Sequence, residues 1–334
     1  MDMIEERHPT IVKRKANTLA FYAGAVVILC LLPLFVKSIY LIHVLIQTFI
    51  YIIATVSLRT ITISGQFPLA HGAFMGIGAY ISAIAAKELG LTPWLAIPLG
   101  GLMAMGIGIL IGYPFARLRA LYYAMVSLFF GIGMVQVNNV FQKWTHGGTG
   151  LASIPALFHF STPKVVSYYF FLGLTSLCLI ALYRFEHCRI GISLKAIAQS
   201  HPVASSVGIN EARYRVLALA VGCFFAGIAG AAFAHYNLTL APNVFDLSAT
   251  LWLFMYVLIG GIGSFAGPII GTAFLIIVPE LLRGLKEYVP FLFAAILFIV
   301  VFLMPQGLVS LPHITRSWFS KLRARKRSAR VSGN

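Results

Sequence analysis

Apolar runs, each close to the length of a membrane-crossing helix, alternate along the chain with short polar breaks. A span needs about 20 mostly apolar residues, because hydrocarbon offers nothing to satisfy free backbone groups. Ten stretches approach that length. They are Leu19–Val36, Ile39–Leu58, Pro68–Ala86, Pro93–Tyr113, Ala120–Phe141, Val165–Tyr183, Tyr214–Tyr236, Leu247–Ile262, Pro268–Leu282 and Tyr288–Met304. The eighth and ninth are short and interrupted by glycine, so one broken or re-entrant element could replace two full spans. The longest internal polar break runs from Arg184 to Arg213 and reads RFEHCRIGISLKAIAQSHPVASSVGINEAR. Within it Ile190, Leu194, Ile197 and Ala198 recur at helical spacing and predict a short amphipathic helix. Pro202 should end or kink that helix, and a second stretch, Val203 to Val207, closes at Gly208. Such a segment is either an ordinary surface loop or a helix shaped for a groove on a soluble partner.

Composition fixes the solvent. Of 334 residues 59% are hydrophobic and only 10% charged, with a mean hydropathy of +0.89. A soluble domain carries about 25% charged residues. The predicted class is therefore an all-α polytopic membrane protein, a Gly-rich bundle of about ten transmembrane helices with a short amphipathic helix in its inner loop. The net charge of +16 would suggest nucleic acid in a soluble protein. Its distribution says otherwise. With the N-terminus in the cytoplasm, only Lys37, Lys87, Lys143, Lys164, Arg283 and Lys286 fall outside. The remaining Lys and Arg lie in inner loops and tails, as the positive-inside rule prefers, and an even span count places both termini inside. The expected partner is thus the lipid bilayer and not nucleic acid, with the basic C-terminal cluster a topology anchor beside the anionic leaflet. The organisation that follows is an N-terminal tail at 1–18, a membrane domain at 19–304 with its inner loop at about 184–213, and a basic tail at 305–334. Val36-Lys37-Ser38 does not read as a signal-peptide cleavage site.

Chemistry is conspicuous by its absence. The chain contains no G-x-x-x-x-G-K-[ST] phosphate loop, no H-E-x-x-H and no G-x-S-x-G. Cys30, Cys178, Cys188 and Cys223 show no metal-site spacing. All nine acids fall in tails, loops or near span ends, whereas ion-coupled carriers commonly place acids or His at mid-membrane. An ion-coupled secondary transporter of small solutes is the alternative reading, since unwound carbonyls can also bind sodium. A membrane-embedded enzyme or scaffold is a third, and it lacks a reactive constellation. Glycines at small-xxx-small spacing, Gly72/Gly76, Gly108/Gly112, Gly263/Gly267 and Gly267/Gly271, are candidates for close helix packing. Gln66 and His71, beside Gly65 and Gly72, either line a translocation path or form a hydrogen-bonded pair that stabilises a broken helix.

Four segments carry a family resemblance. GISLKAIAQSHPVASSVGINEARYRVLALAVGCFFAGIAGAAFAHY resembles the inner loop and following helix of permease subunits in ABC importers for branched-chain amino acids, and more closely the M-type permease of that system. SGQFPLAHGAFMGIGAYISA is similar to that family's "GQ-SLGH-AFMGIGAY" stretch, GGTGLASIP to its external loop, and GGIGSFAGPIIGTAF to its turn between late spans. Together they run from Ser64 to Phe274. The sequence departs from the family at Gln199, Ser200, His201 and Pro202, where charged residues are usual, at Pro68 for a usual Ser, and at Gln306 for a usual Arg. The resemblance implies a transporter of two permeases, the second a distinct homologous chain, with two cytoplasmic ABC ATPases and an external solute-binding protein. ATP and Mg would bind in the ATPases, and no cofactor or metal would bind in this chain, which would not itself be an enzyme. The coupling residues it implies are Gly191, Leu194, Lys195, Ala196, Ile197, Ala204, Gly208 and Ile209. Gly191 and Gly208 would supply turns, and Ile197 and Ile209 would fill the ATPase groove. The substrates implied are branched-chain amino acids or related small polar solutes such as amides or urea, taken up across a bacterial inner membrane.

Overall fold

A computed structural model describes residues 29–33, 38–118, 120–158, 163–281 and 307–310, with isolated positions between 288 and 302. Most of the first and tenth predicted spans and both charged tails lie outside the described residues. Elsewhere the apolar runs are helices: α1 (Ile39–Thr62), α2 (His71–Glu88), α3 (Pro93–Ala116), α4 (Ala120–Val140), the short α5 (Gln142–Thr145), α6 (Lys164–His187), α7 (Arg189–Gln199), α8 (His201–Ser206), α9 (Glu211–Asn237), α10 (Leu247–Gly260) and α11 (Ala266–Leu281). Six stretches among the described residues are long and apolar enough to cross a membrane: α1, α3, Leu121–Val140, α6, α9 and Pro242–Gly260. With this many apolar helices the chain is an all-α, multi-pass membrane protein.

Local chemistry explains the ends of these helices. Pro93 occupies the first turn of α3, where its missing N–H costs nothing. Asn210 accepts from the Arg213 N–H to cap α9, and Asp246 accepts from the Ala249 N–H to cap α10. The third predicted span starts later than expected. Pro68 lies in the turn before α2, which begins at His71. The eighth and ninth spans are two separate helices, α10 of 14 residues and α11 of 16. At 1.5 Å per residue α10 alone reaches about 21 Å and needs the preceding 3-10 turn, Pro242–Phe245, to make a span, while α11 at about 24 Å stays short of the ~30 Å hydrocarbon layer.

The middle of the bundle is α9, packed against α1, α2 and α3. Small residues permit this. Gly78 of α2 meets Gly227 of α9 backbone to backbone, Gly227 also abuts Gly100 and Gly101 of α3, and Gly230 lies on the Met75 carbonyl, so a Cβ at these positions would overlap main chain. Lipid tails offer no hydrophobic drive for helix association, so such close approach supplies the van der Waals contact that holds the helices together. Of the glycines expected to pack, Gly72 faces Thr250 and Asp246, Gly76 faces Phe245, Gly108 faces Cys223, and Gly112 faces Leu219 and Val216. Gly267 and Gly271 of α11 press on the Tyr256–Gly261 backbone, while nothing among the described residues lies within 4 Å of a Cβ built at Gly263.

The two ends of the bundle are distinct. One carries the 147–155 loop, bridged to the end of α9 by the Leu151–Leu240 pair, with both amide–carbonyl bonds at 2.8 Å. At that end His235 uses both ring nitrogens, with Ser82 Oγ at 2.9 Å and the Pro155 carbonyl at 2.8 Å. The opposite end gathers the C-terminus of α1, the turn before α2, α7, α8 and the 261–265 turn, and this is the end that carries the candidate site. Gly307 fits against Gly260 and Gly261 there, and Leu308 is buried with Ile259 and Leu275.

Candidate functional site

The site is the segment between α6 and α9. Cys188 adopts extended backbone after α6, so the chain reverses sharply into α7. Gly191 then lies directly on the backbone carbonyl of Glu186, where any Cβ would collide. Its role is therefore close approach inside the first turn of α7. Gly208, with φ +82°, occupies the left-handed region that ends α8 and is the position where a turn requires glycine. Asn210 caps α9 immediately afterwards.

The apolar stripe of α7 points inward. Leu194 and Ile197 are fully buried at 0% exposure, and Leu194 packs with Ile63 at the end of α1, Ala218 of α9, and the flanking Phe185, Ile190 and Tyr214. Ala198 sits 3.6 Å from where a Cβ of Gly65 would be, so α7 also touches the turn before α2. This corrects the expectation that Ile197 fills a groove on a partner: in the folded chain Ile197 belongs to the chain's own core. Ala204 is likewise buried, Ala196 and Ile209 are half-buried, and Lys195 is 44% exposed at its side chain. The apolar side chains that do face outward are Ile192 at 62%, Val203 at 63% and Val207 at 70%. Helical periodicity located the stripe of α7 but could not say whether the chain's own bundle or a partner covers it.

Beneath α7 lies a charged centre. Arg59 of α1 is 2% exposed, yet it forms a two-pronged ion pair with Glu186, Nη1 to Oε2 and Nη2 to Oε1, the latter at 3.1 Å. Its Nε donates to the Ile262 carbonyl at 3.0 Å, and its guanidinium lies 5.9 Å from the centre of the Phe265 ring. Glu186 Oε1 also accepts from Lys195 Nζ at 2.8 Å. One carboxylate therefore ties α6 to α1 and α7, and one guanidinium ties α1 to the α10–α11 turn. The sequence reading placed Arg59 among the inner-loop cations and Glu186 among the loop acids; α1 continues four residues past Leu58 and takes Arg59 inside. The usable signal was a lone Arg at the end of an apolar run, together with an acid at the end of another.

A second cluster ties α8 to α9. Glu211 Oε2 lies 3.2 Å from His201 Nδ1 and 3.5 Å from Arg215 Nη2, and Arg215 Nη2 lies 2.9 Å from the same imidazole nitrogen. His201, one of the departures from the family pattern, thus supplies a structural tie. Gln66 and His71 are both buried and separate in role. His71 Nε2 reaches Ser57 Oγ at 2.9 Å and the Ala54 carbonyl at 3.1 Å. The Ser57 hydroxyl already donates to the Ala54 carbonyl, so Nε2 carries the proton and Nδ1 is left as a buried acceptor without a partner among the described residues. Gln66 Nε2 is a buried donor equally without a partner there. No cluster of three or more His, Cys, Asp or Glu that could hold a metal occurs among the described residues.

Comparison with known proteins agrees with this architecture. A family model described as branched-chain amino acid transport system / permease component matches residues 40–305. The chain is 30% identical over 291 residues to the high-affinity branched-chain amino acid transport system permease protein LivM of Escherichia coli (strain K12), covering 78% of this chain and 68% of the relative. It is 27% identical over 275 residues to the corresponding LivH permease of Salmonella typhimurium, covering 76% and 89%. A probable LivM permease of Methanocaldococcus jannaschii is 23% identical over 233 residues, covering 64% and 67%. No solved structure matches. An all-helical membrane bundle, matched along most of its length, places the chain in the family of branched-chain amino acid transport permease components, of the LivM type.

Proposed function

We propose that this chain is a permease subunit of an ABC importer, taking up branched-chain amino acids, or related small polar solutes such as amides or urea, by alternating access. The observation that carries the reading is the α7–α8 segment. It is tied to the bundle by the Lys195–Glu186 ion pair and by the contacts of His201 with Glu211 and Arg215, yet presents Ile192, Val203 and Val207 outward. An apolar face on a short helix at the polar end of a membrane bundle fits a groove on a soluble partner. Two cytoplasmic ATPases, binding ATP and Mg, would supply the energy, which accounts for a chain with no phosphate loop of its own. A second, homologous permease would complete the pathway, and both LivM and LivH permeases are among this chain's relatives. An extracytoplasmic binding protein would deliver the solute. In this reading both termini and α7 face the cytoplasm of a bacterial cell whose inner membrane holds the complex, consistent with the distribution of basic residues.

The test is reconstitution of the chain with its co-purifying subunits in liposomes, followed by leucine uptake with and without internal ATP. Uptake that requires ATP supports the reading. Uptake by this chain alone, driven by an ion gradient, would replace it with the secondary-carrier alternative.

A further inference from the structure

Arg59 joins α1, α6 and the α10–α11 turn at one buried site. Its guanidinium commits two nitrogens to Glu186 and the third to the Ile262 carbonyl, while the Phe265 ring lies beside it. Glu186 in turn accepts from Lys195 on α7, and its backbone carbonyl bears directly on Gly191. Thus α7 cannot slide along or lift from the bundle without displacing Glu186, and Glu186 cannot move without its arginine.

The far side of this link is stiff. Residues 260–262 belong to a turn in which Gly260, Gly261, Gly267, Gly271 and Gly307 approach one another backbone to backbone. Main chain packed against main chain leaves no side-chain rotamers to absorb a displacement, so a pull on the Ile262 carbonyl moves the ends of α10 and α11 together. The link itself is stiff as well, because the guanidinium is a planar fork that fixes distance and angle at once.

We propose that Arg59 is a positioning residue for transport, carrying displacement of the inner-loop helix α7 through Glu186 to the α10–α11 turn. The proposal rests on the reading of the chain as an ATPase-driven permease. It gives the buried ion pair a role beyond stability, since well-packed apolar residues of similar volume hold a fold as well as a buried pair does. Such a replacement keeps the packing but loses the fixed hydrogen bond to the Ile262 carbonyl.

The experiment uses the complete complex in liposomes. Two variants are compared with the natural chain: the double replacement Arg59→Met with Glu186→Leu, and Arg59→Lys. ATPase co-purification, ATP hydrolysis and leucine uptake are measured for each. ATPases should remain bound and hydrolysis should persist. Uptake per ATP hydrolysed should fall about tenfold in the double variant, within the usual range of coupling energies. Arg59→Lys, which cannot hold Glu186 and Ile262 together, should fall in the same direction. A double variant that is monodisperse and imports with the natural yield per ATP overturns the proposal. Should the double variant fail to fold, Arg59→Lys decides, because it keeps a positive charge beside Glu186 but not the fork that also reaches the Ile262 carbonyl. Natural coupling in Arg59→Lys then overturns the proposal. Import by the unsubstituted complex without ATP would instead remove the functional reading, and the link with it.

Discussion

Replacing Ile197 by Ala should destabilise the protein far more than replacing Ile192 five residues earlier on the same helix. Both are isoleucines of α7, but Ile197 is fully buried and Ile192 is 62% exposed. Truncating a buried Ile to Ala costs about 2–5 kcal/mol, the transfer of the lost carbons plus the cavity left behind. The cost depends on how far the site collapses. Here α7 is held in place by Gly191 against the Glu186 carbonyl and by Lys195 on the Glu186 carboxylate, so it cannot settle into the void. That argues against the low end of the range and for about 3–4 kcal/mol. Ile192→Ala, at an exposed position, should stay within about 0.5 kcal/mol.

The assay is thermal unfolding of the purified chain in one detergent, followed by intrinsic fluorescence. At about 2 °C per kcal/mol for a chain of this size, Ile197→Ala should melt roughly 6–8 °C lower and Ile192→Ala within about 1 °C of the natural chain. Association with the ATPases should show the opposite order. Placing Asp at Ile192 or Val203 should abolish co-purification without lowering the melting temperature. If Ile197→Ala melts with Ile192→Ala, the inward orientation of the α7 stripe is wrong. The groove-filling role that the family resemblance implies for Ile197 would then stand.

Two further outcomes test the packing of the bundle. Gly78→Val should prevent α2 from meeting α9, since even a Cβ there overlaps the Gly227 backbone, and size-exclusion chromatography should show loss of monodisperse protein; a monodisperse product would rule out that contact. Ser82→Ala should leave His235 Nε2 buried without its partner, lowering stability by about 1–3 kcal/mol in the same melting assay, and an unchanged melting point would contradict the hydrogen bond.

Much of the fold was legible in the sequence, because the bilayer is an exacting solvent and the lengths of apolar runs answer to it directly. The runs that became α1, α3, α4, α6 and α9 were located within a few residues. The inner-loop helix α7 was legible too, from Ile190, Leu194 and Ile197 at helical spacing, and Gly208 marked the end of the stretch after it; that this stretch is a helix with Pro202 in its first turn was not. The orientation of α7 was not legible either. Spacing marks Leu194 and Ile197 as one stripe, but only the presence of Ile63, Ala218 and Tyr214 decides that the bundle itself covers it and leaves Ile192 outside. Similarly, Gly191 looked like a turn residue and proved to be a contact with the Glu186 carbonyl.

The sequence by itself determined that the chain lives in a membrane, that it is helical, and which end of each run is charged. These are properties of composition and spacing, and each can be summed along the chain without knowing what touches what. Tertiary structure alone decided that Arg59 and Glu186, 127 positions apart, share one buried site with Ile262, 203 positions from Arg59. It also decided that His201 answers Glu211 and Arg215. An isolated Arg at the end of an apolar helix is compatible with a solvated loop or a buried pair. The choice depends on whether a carboxylate and a carbonyl arrive from distant segments to offset its desolvation, and only the assembled bundle brings them there.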